Sequence, residues 1–271
     1  FSTMRKRIRL FFGLLAFCVT QALGDTIGFF YALDADLQAL KTQAREMGQA
    51  TRVGSRSVQR LQLDAHTIYA VKMGSGAVET AVSVQALLSR FRCDWAFSIG
   101  PAGALSDEMA THQWHRVGSV TAWQTDSQAK TWRTDWTRLP VAVFPSPLQT
   151  TSTIAVASGE QFISTTRERD RLQAMTQADA VDMNSFGLAL VCADHGVPLF
   201  AWKIISDHAD ETASETFRSF IATYTGEGGK ALIEIIRALP ANPNDPSSYP
   251  VIERLLHEVP TENQLPNDSR S

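Results

Sequence analysis

Apolar and polar residues follow two rhythms along this chain. Thr26–Leu33 (TIGFFYAL) is apolar almost throughout and predicts a buried strand. Asp34–Gly48 (DADLQALKTQAREMG) spaces its apolar residues as a helix does, with the glycine as its stop. Ser57–Gly74 predicts a hairpin ending in a glycine loop, Ala77–Phe91 a helix, and Cys93–Gly103 a strand running into a Gly/Pro loop. Gly118–Asp126 and Thr153–Phe162 predict further strands. Ala178–Gly196 turns from a loop into a helix that stops at Gly196. Val197–Asp207 (VPLFAWKIISD) is again a strand, and Ser214–Leu239 is a closing helical region. Strands alternating with helices predict an α/β fold, a mostly parallel or mixed sheet covered on both faces. Ligands of such sheets bind where strands end in loops.

Two segments fall outside that pattern. Met4–Arg9 is basic, and Leu10–Val19 is apolar for about half the roughly 20 residues a membrane-spanning helix needs. Ala22 and Gly24 then supply small residues at positions −3 and −1 of a cleavage site ahead of Asp25. Residues 1–24 therefore read as a secretory signal peptide, so the chain is expected in the periplasm or secreted, without stable membrane association after cleavage. Residues 25–240 form the expected domain. From Pro240 the composition shifts to Pro, Asn, Asp and Ser, and residues 241–271 read as a flexible tail.

Charge narrows the partners. The formal net charge of −3 becomes −7 once Arg5, Lys6, Arg7 and Arg9 leave with the signal peptide, which argues against a nucleic-acid partner. Cys93 and Cys192 both sit in apolar segments and read as buried small hydrophobes rather than a disulfide.

Candidate chemistry collects at the strand ends. Asp34 and Asp36 follow the first strand, and MGSGAVE (Met73–Glu79) follows the hairpin. SIGPAGAL (Ser98–Leu105), ASGEQFI (Ala157–Ile163), VDMN (Val181–Asn184) and ISDHADE (Ile205–Glu211) complete the set. The last raises a choice among a metal cluster, a general acid and a solvated loop. Metal fits poorly: His208 and Asp210 lie two apart, and no HxH, HExxH or CxxC accompanies them. Neither a metal nor a cofactor is expected. His112 and His115 flank Trp114 with no recognisable chemistry and read as surface residues.

In colinear order from Thr26 to about Phe220, these pieces resemble the nucleoside phosphorylase/nucleosidase superfamily, nearest its 5'-methylthioadenosine/S-adenosylhomocysteine nucleosidase branch. IGFFYALDADLQAL is similar to the family's opening strand and acidic run, and MGSGAVETA to its SGIGKVNAA loop. SIGPAGAL resembles NTGSAGGL, VASGEQFI the SGD-FI segment, AVDMNSFGLALVCADHGVP the VEMEAAAVA-VC---VP segment, and WKIISDHADE the VRAISD-AD strand end. The resemblance implies a three-layer α/β/α fold with a mixed central sheet, a purine nucleoside as ligand, and a homodimer.

It also implies roles, position by position. Asp207 would protonate or hydrogen-bond N7 of the leaving purine, with Ser206 orienting it; a positioned acid of this kind contributes about 10²–10⁴-fold. Phe162 would stack on the base, with Ile163 beside it. Met183 would pack on the ribose, and Gly74, Gly100 and Ala102 would line the loops around sugar and base. Pro101 replaces the usual Ser and removes a backbone N–H. Asp182 keeps the first acidic position of VEME in shortened form. Asn184 replaces the acidic residue that grips the ribose hydroxyls, which weakens ribose binding or signals a different sugar. Asp36 falls where the family places the Glu that activates water, and Asp34 replaces it if the register shifts.

Water is favoured over phosphate as nucleophile. Ser98 and Ile99 precede Gly100 where phosphorylases carry Arg, and Ala77 replaces the usual Lys; only Arg52, Arg56 and Arg60 would reopen the question. The expected activity is hydrolysis of an adenine nucleoside such as 5'-methylthioadenosine or S-adenosylhomocysteine. The alternatives are a degenerate nucleoside-binding or storage protein and a phosphate-dependent phosphorylase.

Overall fold

The computed structural model describes residues 24–124, 138–141 and 150–239. Residues 1–23 of the signal-peptide segment and the 241–271 tail, together with Thr125 and Asp126 of the predicted Gly118–Asp126 strand, lie outside the described residues.

The elements run β1 (Thr26–Tyr31), α1 (Asp34–Lys41), β2 (Arg45–Glu46), β3 (Thr51–Val53), β4 (Arg56–Leu63), β5 (His66–Lys72), α2 (Ala77–Arg90), β6 (Trp95–Ala104) and β7 (Trp114–Ala122). They continue with β8 (Arg138–Pro140), β9 (Thr150–Ser158), α3 (Thr166–Thr176), β10 (Ala180–Asp182), α4 (Ser185–Asp194), β11 (Leu199–Asp207), α5 (Ala213–Thr223) and α6 (Glu227–Arg237). The α/β reading holds, with a single mixed sheet ordered β10-β9-β7-β11-β6-β1-β5-β4-β2.

The apolar strands are buried on both faces, which is why they read as continuous runs rather than alternations. In β1, Ile27, Phe29 and Tyr31 join one core with Leu37 and Leu40 of α1 and Leu232, Ile233, Ile235 and Ile236 of α6. Phe30 points the other way, into a core shared with Val84, Leu87 and Leu88 of α2 and Leu188, Ala189 and Cys192 of α4. Cys93 and Cys192 are buried and free, as expected of small hydrophobes.

Two features of the sheet position the site. Strands β1, β5, β6 and β11 run parallel, whereas β7 pairs antiparallel with β11 and carries β9 and β10 with it. The sheet then curls until β10 pairs antiparallel with β6, Ala180 opposite Ala104 and Val181 opposite Gly103. Strands β6, β11, β7, β9 and β10 thus close a ring. The ends of β9 and β10 therefore meet the prolonged halves of β6 and β11 from the opposite direction.

Several boundaries differ from the sequence reading. The first helix ends at Lys41, and Arg45–Glu46 instead pairs with β4 as a short edge strand. Residues 100–103 are strand rather than loop, because β11 continues beside them as far as Asp207. The segment before α4 contains β10, three residues too few to show a period. The closing region is two helices broken at Tyr224–Gly226. Helix α3 was missed, although Thr165 and Glu168 form a capping box at its start, the Glu168 N–H donating to Thr165 Oγ1 at 3.3 Å. His115 is buried rather than superficial, paired with Lys203 across β7 and β11, and burial lowers its pKa.

Helices α2 and α4 touch so closely that a Cβ at Gly187 would lie 2.1 Å from the Ala77 carbonyl oxygen. Backbone cannot yield there as a side-chain tip can. Gly187→Ala is expected to lose about 1–3 kcal/mol, read as a fall in Tm of roughly 2–4 °C per kcal/mol.

Candidate active site

Strand β11 is buried over its whole length and ends in Asp207. Ile205 pairs with Ala102 and Asp207 with Gly103, so Ser206 is the extra residue of a β-bulge. A bulge re-aims the side chain that follows it. Ser206 Oγ donates to Asp207 Oδ2 at 2.7 Å and lies 3.2 Å from the Ala102 carbonyl; the Ala209 N–H donates to Oδ1 at 2.9 Å. A side chain at residue 103 has no room, since a Cβ there would come within 2.8 Å of Asp207 Oδ1. Burial raises the Asp207 pKa, against the pull of the Ser206 hydroxyl and the Ala209 N–H. The result is a carboxyl group that holds its proton to higher pH than an exposed one.

The rest of ISDHADE divides its work locally. Asp210 Oδ1 accepts from the Thr212 N–H at 2.8 Å, and Glu211 accepts from the Thr166 N–H and hydroxyl at 3.1 and 2.7 Å. These bonds start α5 and α3. His208 is half-buried, with Nδ1 unbonded among the described residues.

Across the ring, Asp182 ends β10. Its Oδ2 lies 2.6 Å from Lys203 Nζ, with both side chains 2% exposed. It also accepts from Ser185 Oγ at 2.6 Å and the Ser185 N–H at 3.1 Å. Burial alone would raise the Asp182 pKa, but the Lys203 charge and the bonds from Lys203, Ser185 and Ser158 outweigh it and hold the carboxyl below its usual range. Lys203 Nζ sits 3.9 Å from where a Cβ of Gly100 would be. Gly100, Pro101 and Ala102 are the stretch of β6 beyond its last β1 partner, Ile99, and before its first β10 partner, Gly103. Only β11 pairs with them, so Pro101 is tolerated in an otherwise central strand.

Asn184 follows on the same turn, half-buried, and donates to the Gly74 carbonyl at 2.5 Å and Thr80 Oγ1 at 2.8 Å. Met183 is also partly exposed. Beyond β9, Glu160 lies against the N-terminus of α2, where its Oε1 accepts from the Val78 N–H at 2.9 Å. That carboxylate ties the segment carrying Phe162 to the glycine loop. Phe162 is 38% exposed, its ring centroid 5.8 Å from that of Phe217 on α5, while Ile163 is buried in a small core with Val181 and Ala209. The structure thus gathers Asp207, Ser206, Ala102, Gly100, Asp182, Met183, Asn184 and Gly74 along the β6–β11–β10 junction, with Phe162 and Ile163 on the adjoining β9–α3 segment.

Asp36 behaves differently from the water-activating role expected of it. It is wholly buried in the first turn of α1. Its Oδ1 accepts from the Tyr224 hydroxyl at 2.6 Å and the Gly229 N–H at 3.0 Å, while Oδ2 is unbonded among the described residues. The carboxyl is thereby latched to α6. Burial raises its pKa to about 6, against the bonds from Tyr224 and Gly229. Asp34 is exposed and paired with Lys72 at 2.6 Å, a surface pair of small value. Arg56 is taken up by Glu79, and Arg52 and Arg60 are exposed on β3 and β4.

Three contributors escaped the sequence reading. Lys203 was signalled by its own oddity, one cation inside a nine-residue apolar strand. Glu160 was visible only as part of ASGEQFI. Tyr224 had no signal, since it lies 188 residues from Asp36.

A mixed sheet closed into a ring sets a buried carboxyl at a strand-end bulge facing a glycine-bearing strand, and in sequence and fold the chain is similar to the nucleoside phosphorylase/nucleosidase superfamily. The family described as Phosphorylase superfamily matches residues 148–237. The 5'-methylthioadenosine/S-adenosylhomocysteine nucleosidase of Staphylococcus epidermidis is 23% identical over 210 residues, 72% of this chain and 92% of that protein. The enzyme of that name from S. pneumoniae, solved with a transition-state inhibitor, superposes with a TM-score of 0.71 at 19% identity, covering 79% of this chain and 100% of the other. The futalosine hydrolase of Helicobacter pylori gives 0.70 at 18%, covering 79% and 98%.

The Asp36 pKa fixes a pH dependence. The folded value of about 6 lies above the unfolded 3.8, so between them the folded chain keeps a proton that the unfolded chain loses. Stability from this group is full below about pH 4 and is lost as pH rises through 6. Two units correspond to about 3 kcal/mol. Asp36→Asn is therefore expected to flatten that decline between pH 4 and 8 in urea unfolding. Lys203→Met, which strands the buried Asp182 carboxylate, is expected to lose about 3–5 kcal/mol near neutral pH. That loss shrinks as falling pH protonates Asp182, and urea unfolding at pH 5 and 8 reads the difference.

Proposed function

We propose that the protein hydrolyses the N-glycosidic bond of an adenine nucleoside by attack of water. The observation that carries this reading is Asp207, a buried carboxyl of raised pKa delivered by a bulge at the end of an apolar strand in a nucleosidase fold. Breaking the C1'–N9 bond leaves negative charge on the purine, and a protonated carboxyl at N7 quenches it. Phe162, partly exposed beside Phe217, offers the face on which a base stacks. Among the described residues no arginine stands at the β6 strand end, Arg56 is paired with Glu79, and Arg52 and Arg60 are exposed on β3 and β4, which supports water over phosphate. The 5' substituent stays open, since structures of similar fold include both 5'-methylthioadenosine/S-adenosylhomocysteine nucleosidases and a futalosine hydrolase.

This reading includes a three-layer α/β/α arrangement, with α1 and α6 on one face of the sheet and α2 and α4 on the other. It includes export through the N-terminal leader to the periplasm or beyond. It also includes a homodimer, supported by the apolar face of α2: Val78 and Val82 are 67% and 47% exposed beside a groove lined by Val53, Ala81 and Val191. A second reading, nucleoside binding without turnover, is favoured by one observation. Asp36, at the position of the water-activating residue, is committed to Tyr224 and Gly229.

Adenine release from 5'-methylthioadenosine in phosphate-free buffer tests the proposal. Turnover without phosphate is expected, with Asp207→Asn lowering kcat by about 10²–10⁴-fold and the wild-type rate falling as pH rises through the Asp207 pKa. A strict phosphate requirement would transfer the protein to the phosphorylases; binding without release would leave it a binding protein.

A further inference from the structure

Both polar side chains on the turn between β10 and α4 are spent on the protein itself. The Asp182 carboxylate is filled by Lys203 and by the N–H and hydroxyl of Ser185. Asn184 gives its amide nitrogen to the Gly74 carbonyl and to Thr80 Oγ1, which is itself buried and 3.4 Å from the same carbonyl. The amide cannot reverse, because that would set two carbonyl oxygens 2.5 Å apart. What the turn still offers a ligand is Asn184 Oδ1, a single neutral acceptor. A carboxylate holds a vicinal diol with two oxygens and a charge; one amide oxygen accepts from one hydroxyl.

We propose that the sugar pocket does not require a 2'-hydroxyl, so that 2'-deoxyadenine nucleosides are substrates on a par with their ribose counterparts. The inference rests on the nucleosidase reading of the site. A site built to bond a substrate hydroxyl rejects the analogue lacking it by about 10⁴–10⁵-fold, because its own polar group is left unpaired in the complex. Among the described residues the carboxylate beside Gly74, that of Glu79, is paired with Arg56, so no unpaired charge awaits the diol, and Asn184 Oδ1 is satisfied by the 3'-hydroxyl alone. The chemistry runs in the same direction. The 2'-hydroxyl withdraws electron density from C1', so its loss eases the charge that develops as C1'–N9 breaks. The bonding pair leaves with the base, Asp207 protonates the base, and water places its oxygen on C1' and releases a proton to solvent, from which Asp207 is reprotonated, yielding adenine and the free 2-deoxy sugar.

Adenine release from adenosine and 2'-deoxyadenosine, and from their 5'-methylthio forms, gives the decisive ratio. The wild-type kcat/KM values for each ribose and deoxyribose pair are expected to agree within about tenfold; a larger preference for ribose overturns the inference. Asn184→Asp, whose carboxylate is driven off the Gly74 carbonyl towards the cleft, is expected to raise the ribose preference by at least about tenfold. If that variant fails to fold, the wild-type ratio decides alone. If neither nucleoside is turned over, hydrolysis fails as the function, and the ratio of the two dissociation constants by calorimetry decides the sugar question on the same threshold. Binding of neither overturns both.

Discussion

The ammonium of Lys203 and the carboxylate of Asp182, 2.6 Å apart and shut away from water, join the middle of β11 to the end of β10. A buried ion pair is weak evidence of net stability, because desolvating two charges consumes much of what their attraction returns. Its effect here is geometric. With Lys203 in place, the Asp182 carboxylate takes up the Ser185 N–H and hydroxyl and so starts α4. The start of α4 fixes the turn through Met183, and Asn184 is then carried across to Gly74 and Thr80. The strand junction, the first turn of the helix and the glycine loop are held by one chain of bonds.

Two carboxyl groups on the strands that flank the end of β6 thereby acquire opposite characters. Asp182, facing a cation and three further donors, is held ionised. Asp207 is driven the other way by burial, which outweighs the Ser206 hydroxyl, the Ala209 N–H and the smaller pull of His208. Environments that push two carboxyl groups apart in this manner divide fixed charge from proton donor. The bulge at Ser206 is what re-aims Asp207 at the end of β11, and Gly103 is what lets the acid approach the β6 backbone.

The strand end carrying Asp207 and the turn carrying Asp182, Met183 and Asn184 were both legible in the sequence, and the bonds that hold them were not. An apolar strand ending in Ser206-Asp207 needs only local pattern to be recognised, and Phe162 follows a strand end in the same way. Lys203 stood out as the one cation in its apolar strand, but its partner Asp182 lies on β10, and no local pattern joins the two. Gly100–Gly103 read as a loop because glycine and proline usually mark one; the strand persists there because β11 supplies the ladder and no other strand intrudes. Asp36 was placed correctly along the chain, but its partners come from Tyr224 and Gly229, and no local pattern reports a contact across 188 residues. The ring closure between β6 and β10 is non-local for the same reason.

These arrangements decide where the work of cleavage must fall. A bond breaking towards an oxocarbenium-like sugar can be eased from the sugar side, by an anion near C1', or from the base side, by a proton at N7. On the sugar side, Asp182 is neutralised by Lys203 as a pair, Asn184 is uncharged, and Asp36 is turned into the α1–α6 contact with a carboxyl that titrates near 6. None of them brings an unbalanced negative charge to the sugar. On the base side, Asp207 is buried, and burial raises its pKa against the pull of Ser206, the Ala209 N–H and His208. In the proposed reaction the barrier is therefore lowered chiefly by activating the leaving purine, and an unactivated water suffices once the purine has begun to depart.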